Sequence, residues 1–268
     1  MKRVAFLTTI FPMKEQYLYD FFTSLKQQTY KDFDVIIVND GYLDFEKIKI
    51  AYGQTLSIIE LLSTNTPAKN REFGINCCID NKYDVLIFGD SDDFFETNRI
   101  EKSLQLLEEY DVVVNDLSLF DENGVYEAAY FSNRLENLTQ INFDFIIDKN
   151  IFGLSNTAVR LEKMHKVVFS GDLIAVDWHL FSILLMSDKR AVFTNETTTY
   201  YRQHSQNLVG LKGVDQKAFE RGVEVKKRHY EALNSKTKDF LKETDRLSTA
   251  SYNAKAKEIK HPLWWELI

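Results

Sequence analysis

Three carboxylates fall within four residues at Asp90-Ser91-Asp92-Asp93. Like charges at that spacing repel one another, so the arrangement is costly unless a cation or strong hydrogen bonds offset it. In an extended turn Asp90 and Asp92 point to one side and can share a hard divalent ion, Mn2+ or Mg2+. Such an ion takes oxygen ligands and keeps positions for phosphate oxygens. The same residues also read as an acidic turn ahead of a helix beginning near Thr97, because carboxylates stabilise helix N-termini. Taken alone they leave both readings open. Two further acids stand at comparable places. Asp40 follows an apolar run in Val38-Asn39-Asp40-Gly41. Asp177 precedes the apolar stretch Trp178 to Met186, as a helix N-cap or as an acid/base group.

Positioning these groups falls to the segments that flank them. Val4 to Thr8, Val35 to Val38, Leu56 to Ile59 and Asp84 to Phe88 read as strands. A segment with Leu18, Phe21, Phe22 and Leu25 at helical spacing follows the first, and Phe73 to Ile79 reads as a helix before the fourth. This alternation is the pattern of parallel strands joined by crossover helices. Ligands of open parallel sheets bind beyond the carboxyl ends of the strands, so Asp40 and Asp90 to Asp93 are expected on one edge. After a helix containing Ile100, Leu104 and Leu107 the grain changes. Val112 to Val114 is a strand, and Asn123-Gly124 is a hairpin turn signal between Leu117 to Phe120 and Val125 to Tyr130. Asn156 to Arg160, Ala191 to Phe193 and Thr198 to Tyr201 read as strands, and Trp178 to Met186 as a helix. From Asp215 the chain is charged and helical, with Phe219, Val223, Tyr230 and Leu233 as its apolar stripe. The fold class is therefore α/β, with a mostly parallel central sheet, helices on both faces and a C-terminal helical tail.

Composition narrows the partners. A chain of 268 residues with 44% hydrophobic content buries a sizeable core, and ten Gly and three Pro exclude collagen-like or linker-rich architecture. A net charge of −7 excludes general attraction to nucleic acid, so an anionic ligand needs a local site. Cys77 and Cys78 are adjacent within a helix, unsuited to a disulfide, which points to a reducing, cytoplasmic setting. The apolar run after Met1-Lys2-Arg3 is too short for a signal peptide, and no stretch approaches the roughly 20 apolar residues of a membrane span. The closing segment His261 to Ile268, with Trp264-Trp265, is read first as internal packing or homo-oligomer contact. Peripheral contact with the inner face of a membrane is its alternative.

Several of these segments also occur in an order that resembles family 2 glycosyltransferases of the GT-A fold. They are Thr8 to Pro12, Gln28-Thr29-Tyr30, Asn39-Asp40-Gly41, Arg71 with Gly74-Ile75, Asp90 to Asp93, and Asp177-Trp178 followed by Tyr201-Arg202-Gln203-His204 and Asn207. The resemblance implies a Rossmann-like sandwich over residues 1–210, with a nucleotide-binding half (1–115) and an acceptor half (116–210), followed by a helical extension (211–268). It implies transfer of a sugar, with inversion, from a nucleotide-sugar donor, UDP-linked in most members. The acceptor would be a hydroxyl of a saccharide or lipid-linked saccharide, in polysaccharide or glycoconjugate synthesis. Asp40 would meet the nucleotide base beside the main chain of Thr8 and Thr9, and Arg71 the diphosphate. Asp90 would face the ribose or the metal, Asp92 would ligate the metal directly, and Asp93 would be structural. Asp177 would be the base, with Trp178 either a wall for a sugar ring or core. Arg202 would close over the diphosphate and His204 would add a metal ligand. The chain departs from the family pattern at Tyr42-Leu43-Asp44, where Ser-Thr-Asp is common, at Glu72 in place of Asn, and at Val176 in place of Glu.

Two other classes compete. A phosphatase of the haloacid dehalogenase type would use Asp90 as nucleophile and Asp92 as acid, but that motif sits on a first strand and lacks the Asp93-Phe94 continuation. A non-catalytic sugar-nucleotide-binding domain would retain the pocket but has no need of both Asp92 and Asp177.

Overall fold

The computed structural model describes residues 2–203, 216–233 and 237–268. The first half runs β1 (Val4–Ile10), α1 (Glu15–Lys26), β2 (Asp34–Asn39), α2 (Phe45–Tyr52), β3 (Ser57–Leu62), α3 (Pro67–Asp80) and β4 (Val85–Phe88). α2 is not among the helices expected from the sequence, although Phe45, Ile48 and Tyr52 bury one face of it. The chain continues through β5 (Phe94–Phe95), α4 (Arg99–Leu106), β6 (Val112–Asp121), β7 (Gly124–Glu127), β8 (Gln140–Ile141) and β9 (Thr157–Arg160). It closes with α5 (Val176–Met186), β10 (Ala191–Arg202), α6 (Gln216–Leu233), α7 (Lys238–Thr244) and α8 (Thr249–Glu258).

One ten-stranded sheet results, its main path ordered β3-β2-β1-β4-β9-β6-β10-β5. β1 pairs in parallel with β2 on one side and β4 on the other, so the strand order reverses at β1. Crevices form at such a reversal, and the residues following β2 and β4 open onto it from either side. β9 runs antiparallel between β4 and β6, which interrupts an otherwise parallel centre. The runs read as separate strands at Val112 to Val114 and Leu117 to Phe120 are one strand, β6. Those at Ala191 to Phe193 and Thr198 to Tyr201 are likewise one strand, β10, whose register against β6 shifts between Thr194 and Thr198. The Asn123-Gly124 turn joins β6 to β7 as the sequence indicates.

Alternation along the strands divides the core. Phe6, Val35 and Ile37 pack with Phe21, Phe22 and Phe45 of α1 and α2 on one face. Leu7, Ile36 and Val38 pack with Ile75 and Trp178 of α3 and α5 on the other. α3 lies tight on β1 and β2 because Gly74 meets Leu7 and Val38, where a Cβ would stand 2.8 and 2.9 Å from their methyls. That close seat carries Arg71, one turn earlier, toward the strand ends. α6 packs on α5, its His229 ring stacked 3.8 Å from the fully buried Trp178. The final segment returns to the main core, where Leu263 and Trp264 are buried. Among the described residues no helix is long and apolar enough to cross a membrane.

Candidate active site

The acidic turn is fastened to the strand ends by its own residues. Gly89 follows β4 and leaves no room for a side chain, since a Cβ there would come within 3 Å of the Phe6 and Phe95 rings. Ser91 donates from its hydroxyl to the Thr9 carbonyl at 2.9 Å, and the Asp40 N–H donates to the Ile10 carbonyl at 2.8 Å. The ends of β1, β2 and β4 thus converge with Asp40 and Asp90 flanking β1. Thr8 is buried among them.

Within the turn the three acids differ. Asp93 is buried and accepts from the Ser155 hydroxyl and from the Arg202 N–H, the latter at 2.7 Å. Burial, then the charges of Asp92 and Asp90, hold its carboxyl well above the usual carboxylate range. Asp90 is half-buried and faces Arg71, whose Nη2 lies 3.4 Å from Oδ1. Burial raises its pKa, the Arg71 charge opposes this, and Asp92 adds to it. Beneath the turn the Arg99 guanidinium is completely buried, donating to the Phe88 carbonyl at 2.6 Å and to Asn115 Oδ1 at 3.1 Å. It lies 4.4 Å from the Phe95 ring centre.

Arg202 also serves the turn. Its Nε donates to the Asp92 carbonyl and its Nη2 to Asp20, both at 2.7 Å, with the guanidinium between the Tyr17 and Phe120 rings. The group expected over a diphosphate thus contacts the turn's own main chain and Asp20. His204 and Asn207 lie outside the described residues.

α5 delivers the acid from the second half of the chain. Its N-cap is Ala175, so Asp177 stands in the first turn and not at the cap position of its alternative reading. Its Oδ1 accepts from the Trp178 N–H at 2.8 Å, and its Oδ2 lies 3.5 Å from Asn150 Nδ2. Burial pushes its pKa up to about 6, opposed by the Trp178 N–H and by Arg71, and reinforced by Asp90. Asp177 therefore lies in the field of groups carried by α3 and β4. The Tyr201 phenol marks the same meeting point. Burial first, then Asp93, Asp90, Asp92 and Asp177, keep it protonated. Trp178 is core: it is fully buried and donates from Nε1 to the Ile146 carbonyl at 2.7 Å, so it offers no wall to a sugar ring.

The donor set suits a divalent ion. The charges of Asp93, Asp90, Asp92 and Asp177 all bear on Tyr201, Arg71 and Arg99 supply the opposing cations, and the Arg202 charge is matched by Asp20. The excess is negative. Among the described residues no group of three His, Cys, Asp or Glu is disposed around one point. A pair such as Asp92 with Asp90 matches an ion that completes its octahedron with water and phosphate oxygens.

Arg99, Ser155 and Asn150 carry no signal in the sequence as site residues, whereas Tyr201 belongs to the Tyr201-Arg202-Gln203-His204 segment without a role assigned to it. Arg99 sits in a segment that reads as an amphipathic helix, and Asn150 in a stretch without pattern. Glu72, a departure from the family pattern, binds Lys69 and accepts from the Phe169 N–H at 2.6 Å, fixing a loop that approaches α3.

An acidic turn at the strand reversal, with an acid from the following half within its electrostatic reach, belongs to an α/β protein of the GT-A glycosyltransferase fold. The chain belongs to glycosyl transferase family 2, whose family model matches residues 9–164. That span contains Thr9, Asp40, Arg71 and the acidic turn, and ends before Asp177 and Arg202. A Haemophilus influenzae protein described as an uncharacterized glycosyltransferase is 34% identical over 86 residues, 32% of this chain and 28% of that protein. Among solved structures, S. aureus TarS residues 1–349 in complex with UDP-GlcNAc superposes with a TM-score of 0.62 at 18% identity, over 91% of this chain and 70% of the other. Mannosyltransferase PcManGT from Pyrobaculum calidifontis, in complex with GDP-Man and Mn2+, gives 0.62 at 14% identity, over 96% and 76%.

Proposed function

We propose that the protein is a metal-dependent inverting glycosyltransferase. It moves a sugar from a nucleoside diphosphate sugar, uridine-linked by preference, to a hydroxyl of a saccharide or lipid-linked saccharide in polysaccharide or glycoconjugate synthesis. The observation that carries this reading is that Asp177, buried and of raised pKa, lies within the electrostatic reach of Arg71 and Asp90 at the acidic strand end. Two structures of the same fold hold UDP-GlcNAc, and GDP-Man with Mn2+.

Asp40 and the main chain of Thr8 and Thr9 form the base pocket, and Arg71 takes the diphosphate through its guanidinium fork. Asp92 is the principal metal ligand, Asp90 the second or a ribose contact, and His204 a third. Mn2+ or Mg2+ bound there would stabilise charge on the departing diphosphate as a Lewis acid. Asp177 takes the proton of the acceptor hydroxyl as its oxygen bonds to the anomeric carbon and the bond to the diphosphate oxygen breaks. Arg202 and Asp93 hold the turn in register. The test is thermal: Mn2+ or Mg2+ together with UDP should raise the melting temperature of the full chain, and Asp92→Ala should abolish the rise. No rise with either ion and any nucleoside diphosphate would sink the reading.

A further inference from the structure

Asn150 is fully buried and its amide can take only one orientation. The Phe152 N–H donates to Oδ1 at 3.0 Å, which fixes that end as the acceptor. Nδ2 therefore faces the Phe152 carbonyl at 2.9 Å and Asp177 Oδ2 at 3.5 Å. The two Asp177 oxygens are thus unequal. Oδ1 is tied to the Trp178 N–H at 2.8 Å, whereas the Asn150 contact on Oδ2 is longer, at 3.5 Å.

Asn150 is itself placed by the C-terminal segment. Its N–H donates to the Trp264 carbonyl at 2.8 Å, within an antiparallel bridge between the two residues. The buried Trp264 ring meets Phe131 edge-on at 5.5 Å and Tyr201 at 5.8 Å, the tyrosine whose phenol stands among the acids. It also fills the space beside Gly153, where a Cβ would stand 2.9 Å from the indole and 2.9 Å from Asn156 Oδ1. Polar contacts fasten the segment from the outer side: Tyr130 Oη donates to the Pro262 carbonyl at 2.7 Å, and Arg134 grips Glu266 through both terminal nitrogens.

We infer that Asn150 is a positioning residue that aims Asp177 Oδ2 at the acceptor, and that Trp264 holds Asn150 there, making the C-terminal segment part of the acceptor side of the site. The inference rests on Asp177 being the base. A packing role alone would tie Trp264 to stability, whereas this arrangement ties it to turnover.

The test uses the full chain with Mn2+, and whichever of UDP-glucose, UDP-galactose and UDP-GlcNAc releases UDP fastest. Asn150→Ala should lower kcat about tenfold or more through misplacement of the base, while the melting shift produced by Mn2+ and UDP stays as in the parent. Asn150→Asp, of the same shape, sets a second carboxylate beside Asp177 and should move the acid limb of the kcat profile to higher pH. Trp264→Ala should lower kcat as Asn150→Ala does, and Trp264→Phe should recover most of it. If Asn150→Ala fails to fold, Asn150→Asp and the Trp264 pair decide. An unmoved acid limb in Asn150→Asp, or a kcat within about twofold of the parent in Trp264→Ala, overturns the inference while leaving the base in place. Turnover retained in Asp177→Asn would overturn the base assignment first, and this inference with it.

Discussion

The main-chain N–H of Arg202 donates to the Asp93 carboxylate at 2.7 Å, which fastens the end of β10 to the turn after β4. Asp93 is thereby spent on architecture, while Asp92 in the same turn is the proposed metal ligand. The two should separate experimentally. Asp93→Ala strands the Ser155 hydroxyl and the Arg202 N–H in a buried setting and should cost about 2–4 kcal/mol in urea unfolding. Asp92→Ala should cost under about 1 kcal/mol yet remove the metal-dependent melting shift. Equal destabilisation by the two would contradict this division.

Asp177 carries a cost in the resting fold. Burial raises its pKa to about 6 against an ordinary value of 3.8, so the folded protein binds its proton more tightly than the unfolded chain. The stability linked to that proton is present below about pH 4 and is lost as pH rises to about 6. At pH 7.5 Asp177→Asn should therefore be more stable than the parent by about 1–3 kcal/mol and melt higher, even as turnover is lost. Calorimetry at pH 4 and pH 7.5 checks the sign, because the gain should vanish at the lower pH.

How much of this was legible follows from where each signal resides. Val35 to Val38 and Val85 to Phe88 announce themselves because a strand buried on both faces must be continuously apolar, and the acids after them stand where such strands place ligands. The antiparallel β9 has the same local composition as a parallel strand, so only its pairing with β4 and β6 reveals its direction. The Arg202–Asp20 ion pair carries no local signal, because its partners stand 182 residues apart and no local pattern encodes that pairing. Asn150 was invisible for the same reason: its meaning lies in Asp177 and Trp264, not in its neighbours.

Two buried histidines set the acid side of the stability profile. His229 stacks on Trp178 and His179 lies 6.4 Å from it, ring centre to ring centre. Burial lowers both pKa values, with the neighbouring His179 and Lys226 charges further disfavouring protonation of His229. Depressed pKa values mean that the unfolded chain takes up these protons first, so this contribution is lost as pH falls below about 6.5. His229→Phe keeps the stacking surface and removes a group that must stay neutral. It should flatten the decline in melting temperature between pH 7 and pH 5, and an unchanged slope would count against the assignment.

Arg99 gives the sharpest coupling between charge and fold. Its guanidinium is completely buried beneath the turn, and the charges of Asp93 and Asp90 favour its charged form against burial. Arg99→Met preserves much of the contact with Phe95 and Phe6 but leaves those carboxylates without their buried counter-charge. Removing one partner of a buried charge cluster costs about 3–5 kcal/mol when the remaining charges cannot neutralise. Here they can, because Asp93 and Asp90 already have raised pKa values and would rise further without Arg99. Proton uptake then relieves the repulsion at low pH and not at high pH. The deficit of Arg99→Met should accordingly be larger at pH 8 than at pH 5.5, the reverse of the histidine effect. Urea unfolding of parent and variant at both pH values measures it directly, and a deficit independent of pH would show that Arg99 acts through packing and not through charge.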